Sequence, residues 1–186
     1  MKRITFILLC FSIFSGTFLK AQTLDYYTGK SVITGSNYEY KITDNKIFLR
    51  ISNTKNIKFR TAQYWPDGTP VDIFQIGYGA HFVDNTQALS AFKEVFTPEE
   101  ITAFKSIIQE PPLIFSISYI VSAANGDVIE TEFSFPNHPL FKAIHPDRFF
   151  ELEQKVKQKV KFRVEERFKV LGYIQGRVTN IWFDKL

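Results

Sequence analysis

The chain has 186 residues with 23 basic and 19 acidic side chains, and aromatic residues make up 16% of it, including 20 phenylalanines. This length and composition suit one domain with a large aromatic core and exclude a disordered chain. The single cysteine excludes a fold held together by intramolecular disulfides.

The first 21 residues have the pattern of a secretory signal peptide. Lys2 and Arg3 precede an apolar stretch, 4–14, and a small and polar stretch that ends near Ala21. The apolar stretch is shorter than the ~20 residues of a spanning helix. Cleavage after Ala21 would leave 165 residues without Cys10 and lower the net charge from +4 to +1. We therefore expect an exported protein, periplasmic or extracellular, whose mature domain 22–186 has no transmembrane segment and no nucleic-acid partner.

Residues from about 37 to 76 predict a meander of antiparallel strands. Polarity alternates in NYEYKIT (37–43), KIFLRIS (46–52) and IKFRTAQYW (57–65), as in half-buried strands. The stretch WPDGTP (65–70) then predicts a turn, because an aspartate can bond the backbone and a glycine tolerates a positive φ.

Two helices are predicted next. TQALSAFKEVF (86–96) places apolar residues at helical spacing. TPEEITAFKSII (97–108) begins with Thr97 as the N-cap and has Glu100 three residues later, the pattern of a capping box.

The stretch FSISYIVSAANGDVIETEFSF (115–135) predicts a β-hairpin. A two-residue turn would place apolar residues opposite glutamates, so we expect a three-residue loop, 124–126, with Gly126 left-handed. The expected partners are Val121 with Ile129, Tyr119 with Thr131, and Ile117 with Phe133.

The last part of the chain predicts a helix and further strands. In 145–162 the residues Phe149, Leu152, Val156 and Val160 form an apolar stripe. The lysines of 155–161 are interpreted as a solvated face, because Glu151–Lys155 and Glu153–Lys157 are favourable i,i+4 pairs. The fold class predicted is α+β: an antiparallel sheet with helices packed on one face, closing with a β-hairpin–helix–strand segment.

No motif for catalysis, metal or a cofactor is visible. His81, His138 and His145 are scattered without the spacing of a zinc site, and IGYGAH (76–81) lacks a phosphate-loop context. We expect no cofactor and a non-catalytic protein. The alternative, an exported hydrolase, predicts one of these histidines beside an acidic residue in a cleft.

Aromatic residues near the predicted turn are the candidate binding site. Tyr64, Trp65 and Tyr78 could form an exposed platform for a protein, peptide or glycan. The alternative is that they are core aromatics at strand ends. A third hypothesis, a structural component of an envelope assembly, predicts an exposed sheet edge at RVTNIWF (177–183).

Parts of the sequence resemble two kinds of known protein. The leader ending KAQT, the stretch DYYTGK (25–30) and the closing hairpin–helix–strand resemble small exported proteins of unknown function from Gram-negative anaerobes. That resemblance implies no particular activity. Residues about 113–183 also loosely resemble the C-terminal domain of TonB-type transducers, although the transducer's membrane anchor and proline-rich spacer are absent.

Overall fold

A computed structural model describes residues 24–36, 38–72, 79–107 and 114–186 of the chain. Its strands are β1 (Val32–Thr34), β2 (Glu39–Asp44), β3 (Phe48–Asn53), β4 (Ala80–Phe82), β5 (Ile114–Ser122), β6 (Val128–Pro136), β7 (Phe162–Val164), β8 (Tyr173–Gln175) and β9 (Thr179–Trp182). Its α-helices are α1 (Gln87–Val95), α2 (Pro98–Lys105), α3 (Pro139–Lys142) and α4 (Pro146–Lys159). Short 3₁₀ turns are Lys58–Arg60, Glu166–Leu171 and Phe183–Lys185.

Seven of the described strands form one antiparallel sheet, and six of them follow the order β1-β2-β3-β6-β5-β8. β9 also pairs with β5, and with no other strand in the described part of the chain, so it lies at the sheet edge. β4 and β7 form a separate antiparallel pair. The α+β class with antiparallel sheets is therefore confirmed. None of the helices in the described ranges is long and apolar enough to cross a membrane.

The helices pack on one face of the large sheet through aromatic side chains. Phe149 of α4 lies with its ring centroid 5.1 Å from that of Phe135 and 5.7 Å from that of Phe133. Phe92 of α1 lies 5.1 Å from Phe115 on the same sheet face. The predicted apolar stripe of α4 is fully buried, as are most large aromatics of this layer. Such ring pairs contribute about 0.5–1.5 kcal/mol each beyond burial of their area.

Helix α2 begins at the predicted capping box. The Glu100 backbone N–H donates to Thr97 Oγ1 at 3.2 Å, and the Thr97 N–H donates to Glu100 Oε2 at 2.7 Å. Two N–H groups that the helix cannot satisfy itself are thereby bonded.

The β5–β6 hairpin has the predicted register along most of its length. Ile117 pairs with Phe133, and Tyr119 pairs with Thr131. At the turn, however, Val121 pairs with Val128 and not with Ile129, because a bulge shifts the register. Gly126 is left-handed, with φ +76°, as expected.

The prediction of a third strand at 57–65 is wrong. It contains the 3₁₀ turn Lys58–Arg60, and the meander ends at Asn53, while 73–76 lie outside the described residues. The carboxylate of Glu130 accepts the backbone N–H groups of Ile57 (3.1 Å) and Lys58 (3.0 Å), donors that a strand would have used in its ladder.

The lysines of 155–161 are paired with carboxylates. Lys157 Nζ lies 2.6 Å from Glu153, as predicted, and Lys161 Nζ lies 2.5 Å from Asp127. Lys155 and Lys159 both pair with Glu94 of α1, so the predicted Glu151–Lys155 pair is not the one formed. These contacts neutralise the basic run and join α1 to α4.

Asp147, in the first turn of α4, binds the chain that precedes β2. Its carboxylate accepts hydrogen bonds from Ser36 Oγ (2.6 Å), the Tyr38 hydroxyl (2.6 Å) and the Ser36 N–H (3.0 Å). These donors, the Ser36 hydroxyl first, lower the pKa of Asp147 to about 2.

Candidate functional site

Residues 56–71, here called the strap, lie over the sheet face opposite the helices. Glu130 points to that face, because residues alternate along β6 and Phe133 faces the helices. Its buried carboxylate, 5% exposed, holds the backbone at Ile57 and Lys58. The Asn56 side-chain amide donates to the Thr131 carbonyl at 2.7 Å. Both contacts fix the start of the strap on the sheet.

The strap ends in a hydrogen-bonded turn. The Trp65 N–H donates to the Thr69 carbonyl at 2.8 Å, and Gly68 has φ +82°. Asp67 accepts the Thr69 N–H (2.9 Å) and hydroxyl (2.7 Å), and these bonds lower its pKa. The turn predicted at 65–70 is therefore confirmed. These hydrogen bonds hold the backbone of the turn that follows Tyr64.

A groove of about 280 Å³ lies between the strap and the β8 edge of the sheet. Tyr64 lines it and is 59% exposed. The Gln63 side-chain amide donates to the Tyr173 carbonyl at 2.6 Å and thereby joins the strap to β8. The described lining residues are Lys58, Phe59, Thr61, Ala62, Gln63, Tyr64, Pro70, Val71, Ile120, Tyr173 and Gln175.

The lining carries no unpaired charge among its described residues. Lys58 Nζ lies 4.0 Å from Glu130 Oε1 and 5.6 Å from the centre of the Tyr173 ring. Burial, and next the Glu130 charge, raise the pKa of Tyr173, so its phenol is neutral at physiological pH. The groove therefore offers rings, amides, hydroxyls and one ammonium group to a ligand, and the buried Glu130 carboxylate offsets the charge of that ammonium.

The three aromatic residues singled out in the sequence have different surroundings. Tyr64 lines the groove, whereas Trp65 is half-buried and packs on Phe168 with ring centroids 5.9 Å apart. Tyr78 lies outside the described residues. Trp65 thus packs against the core at the base of the turn, and Tyr64 carries the exposed ring.

Sequence reasoning missed the far side of the groove. Tyr173 and Gln175 are about 110 residues from Tyr64 along the chain, and they meet it only because β8 pairs with β5. No local pattern in the sequence connects the two segments.

One of the three histidines lies beside a carboxylate at a surface depression. His81 Nε2 is 3.2 Å from Glu165 Oε1, because β4 pairs with β7 just before Glu165. This hydrogen bond is the main reason that the pKa of Glu165 is lowered. The depression, of about 370 Å³, is open and is lined by 81–85 and Arg177.

The other two histidines cap helices. His138 Nδ1 accepts the Leu140 N–H at the start of α3, and burial lowers its pKa. His145 Nδ1 accepts the Asp147 N–H at the start of α4. Across 24–36, 38–72, 79–107 and 114–186, no three His, Cys, Asp or Glu side chains are grouped so as to hold a metal ion.

Comparison with known proteins identifies the family. The sequence profile of DUF5043, described as a domain of unknown function, matches residues 22–177. The chain belongs to the DUF5043 family. The crystal structure of a DUF5043 family protein from Bacteroides uniformis ATCC 8492 is similar, with a TM-score of 0.67 and 19% sequence identity. The alignment covers 86% of this chain and 88% of that one.

At that identity the comparison shows a shared fold and no more. The resemblance to proteins of unknown function is confirmed, whereas these findings do not show the resemblance to TonB. No curated protein matches the chain significantly. The segment that matches DUF5043 contains all described residues of the groove and the His81–Glu165 pair.

Proposed function

We propose that this DUF5043 protein is an exported, non-catalytic binding module and that the groove beside Tyr64 holds its ligand. The observation that carries the proposal is the exposed Tyr64 ring, 59% accessible, at the rim of a groove whose one charged lining residue, Lys58, is offset by Glu130. Ligand sites are concave and are lined mainly by hydrophobic and aromatic side chains with a few polar groups, and the described lining of this groove has that composition.

The construction of the groove supports the same proposal. Its strap is fixed at one end by Glu130 and at the other by the bonded turn at 65–70. Ligand sites that are formed before the ligand arrives lose less conformational freedom on binding.

Export is part of the proposal because of the first 21 residues. Their basic, apolar and small-polar order is typical of a signal peptide. We expect the purified secreted protein to begin near Gln22, which intact-mass measurement of the periplasmic or secreted material would show.

The test of the binding role is an NMR titration of the purified protein. Neutral oligosaccharides and short synthetic peptides are added separately, and backbone amide shifts are recorded. We expect one probe class to move the amides of Gln63, Tyr64 and Gln175 while the probe is recovered unchanged. The amide of Ile47 serves as the control signal, because Ile47 is also exposed, at 63%, and lies outside the groove. Shifts that avoid the groove would contradict the proposal.

A second candidate function rests on His81. The hydrolase alternative predicted a histidine beside an acidic residue in a cleft, and His81 lies 3.2 Å from Glu165 at an open depression. A carboxylate on one ring nitrogen orients a histidine as a general base for water. Release of nitrophenol from p-nitrophenyl acetate and phosphate, compared between wild type and His81→Gln, tests this role. Turnover that disappears in the variant would favour the hydrolase over the binding module.

A further inference from the structure

We infer that the ligand of the Tyr64 groove is a neutral saccharide. This inference rests on the proposed function and deepens it by naming the chemical class of the ligand. Three features of the groove carry it: the exposed ring of Tyr64, side-chain amides with unused hydrogen-bonding capacity, and a lining whose one charged residue is offset by a carboxylate.

The ring of Tyr64 provides an apolar contact with a polar edge. Tyr64 is 59% exposed, whereas the Tyr173 ring is already approached by Lys58 Nζ at 5.6 Å. One accessible phenol matches a sugar ring, whose C–H faces are apolar and whose rim carries hydroxyls. The phenol combines apolar area with a hydroxyl that seeks a hydrogen-bond partner.

The side-chain amides of the groove retain hydrogen-bonding capacity. Gln175 has no side-chain hydrogen bond to any part of the protein that the structure describes, and Gln63 uses its NH₂ group but not its oxygen. Amides offer donors and acceptors together. Sugar hydroxyls are donors and acceptors too, so they can satisfy both kinds of group at once.

Charge and backbone geometry disfavour other ligands. Lys58 is the single charged residue among the described lining residues, and Glu130 Oε1, 4.0 Å from its Nζ, offsets that charge, so the groove favours a neutral ligand over a charged one. An extended peptide could add to the edge of β8, but the Gln63 amide already occupies the Tyr173 carbonyl at 2.6 Å. The volume of about 280 Å³ also suits a short ligand better than a long extended one.

The experiment is calorimetric titration of the purified protein with named probes. Maltotriose, cellotriose, xylotriose, mannotriose and N,N′,N″-triacetylchitotriose represent neutral saccharides, and trigalacturonate represents a charged one. Two ten-residue peptides, one proline-rich and one alternating Val and Thr, represent peptides. We expect at least one neutral trisaccharide to bind more tightly than trigalacturonate and both peptides.

Variants locate the bound probe. Tyr64→Ala is expected to weaken binding by about tenfold or more, and Tyr64→Phe by about threefold or less, because the ring is retained. Gln175→Ala is expected to weaken it by about fivefold through lost hydrogen bonds. Ile47→Ala is expected to leave the affinity unchanged. Circular dichroism confirms that each variant is folded.

The outcomes separate the two claims. If a peptide binds in the groove and no saccharide does, the saccharide inference is overturned and the binding role stands. If trigalacturonate binds best, the argument from charge is overturned. If no probe binds, the inference is overturned and the proposed function loses its main support.

Discussion

Asp147→Asn is expected to destabilise the fold and to remove part of its dependence on acid pH. The wild-type carboxylate accepts hydrogen bonds from Ser36 Oγ (2.6 Å), the Tyr38 hydroxyl (2.6 Å) and the Ser36 N–H (3.0 Å). Asparagine keeps one acceptor oxygen and places an NH₂ group against donors, so at least one bond is lost.

The magnitude follows from the lowered pKa. A fall from 3.8 to about 2 corresponds to about 2.4 kcal/mol, at about 1.36 kcal/mol for each tenfold change in proton affinity. The Asp147 side chain is 37% exposed, so water screens the interaction. We therefore expect a loss of about 1 kcal/mol in the free energy of unfolding at pH 7.

The sign of the pH dependence is fixed by the direction of the shift. Because the folded-state pKa is below the unfolded value, the stabilisation is present above pH 3.8 and is lost as the pH falls toward 2. The free energies of unfolding of wild type and Asp147→Asn should thus differ by a constant amount, about 1 kcal/mol, between pH 5 and 8. The two values should converge as the pH falls below 3.8.

Urea denaturation across this pH range measures the difference. Asp184→Asn is the matched control, since it removes the same charge from an exposed residue with no side-chain hydrogen bond or ion pair in the described part of the structure. Equal stability of Asp147→Asn and wild type at pH 7 would refute the reasoning. So would a difference that grows as the pH falls.

Three further substitutions test the fold. Gly126→Ala places a Cβ 1.8 Å from the Phe162 carbonyl oxygen at φ +76°, and we expect a loss of at least about 2 kcal/mol by urea denaturation; an unchanged midpoint would contradict the close approach. Phe149→Ala removes a ring from the centre of the aromatic layer, so thermal and urea unfolding should show a loss of about 3–5 kcal/mol in the free energy of unfolding. A loss below about 1 kcal/mol would mean that the layer is not packed as described. Glu153→Ala leaves Lys157 without its carboxylate partner at 2.6 Å. Because the Lys157 side chain is 29% exposed, we expect the free energy of unfolding to fall by about 2 kcal/mol, less than for a fully buried pair. A variant more stable than wild type would disprove a stabilising role of the pair.

Much of the fold could be predicted because its signals are local. Thr97 and Glu100 are three residues apart, and their capping box depends on nothing distant. The apolar stripe beginning at Phe149 follows from helical spacing alone, and the hairpin register follows from keeping apolar residues on one face. Within the hairpin, the bulge beside Val121 was not predicted, because pairing Val121 with Ile129 or with Val128 places an apolar residue opposite it in either case.

The strap could not be predicted in the same way. Its alternating polarity is typical of a strand, yet Glu130, more than 70 residues away, bonds two of its backbone N–H groups. Long-range hydrogen bonds of a buried carboxylate override a local preference. The groove shows the same limit, since Tyr64 was recognised from its turn but Tyr173 and Gln175 come from a distant strand.

The affinity of wild type and of Tyr64→Ala for one neutral trisaccharide is the most direct test of the central claim. The account predicts measurable binding to wild type and a loss of about tenfold or more in the variant. Equal affinities in two folded proteins would contradict the claim that the groove beside Tyr64 is the ligand site.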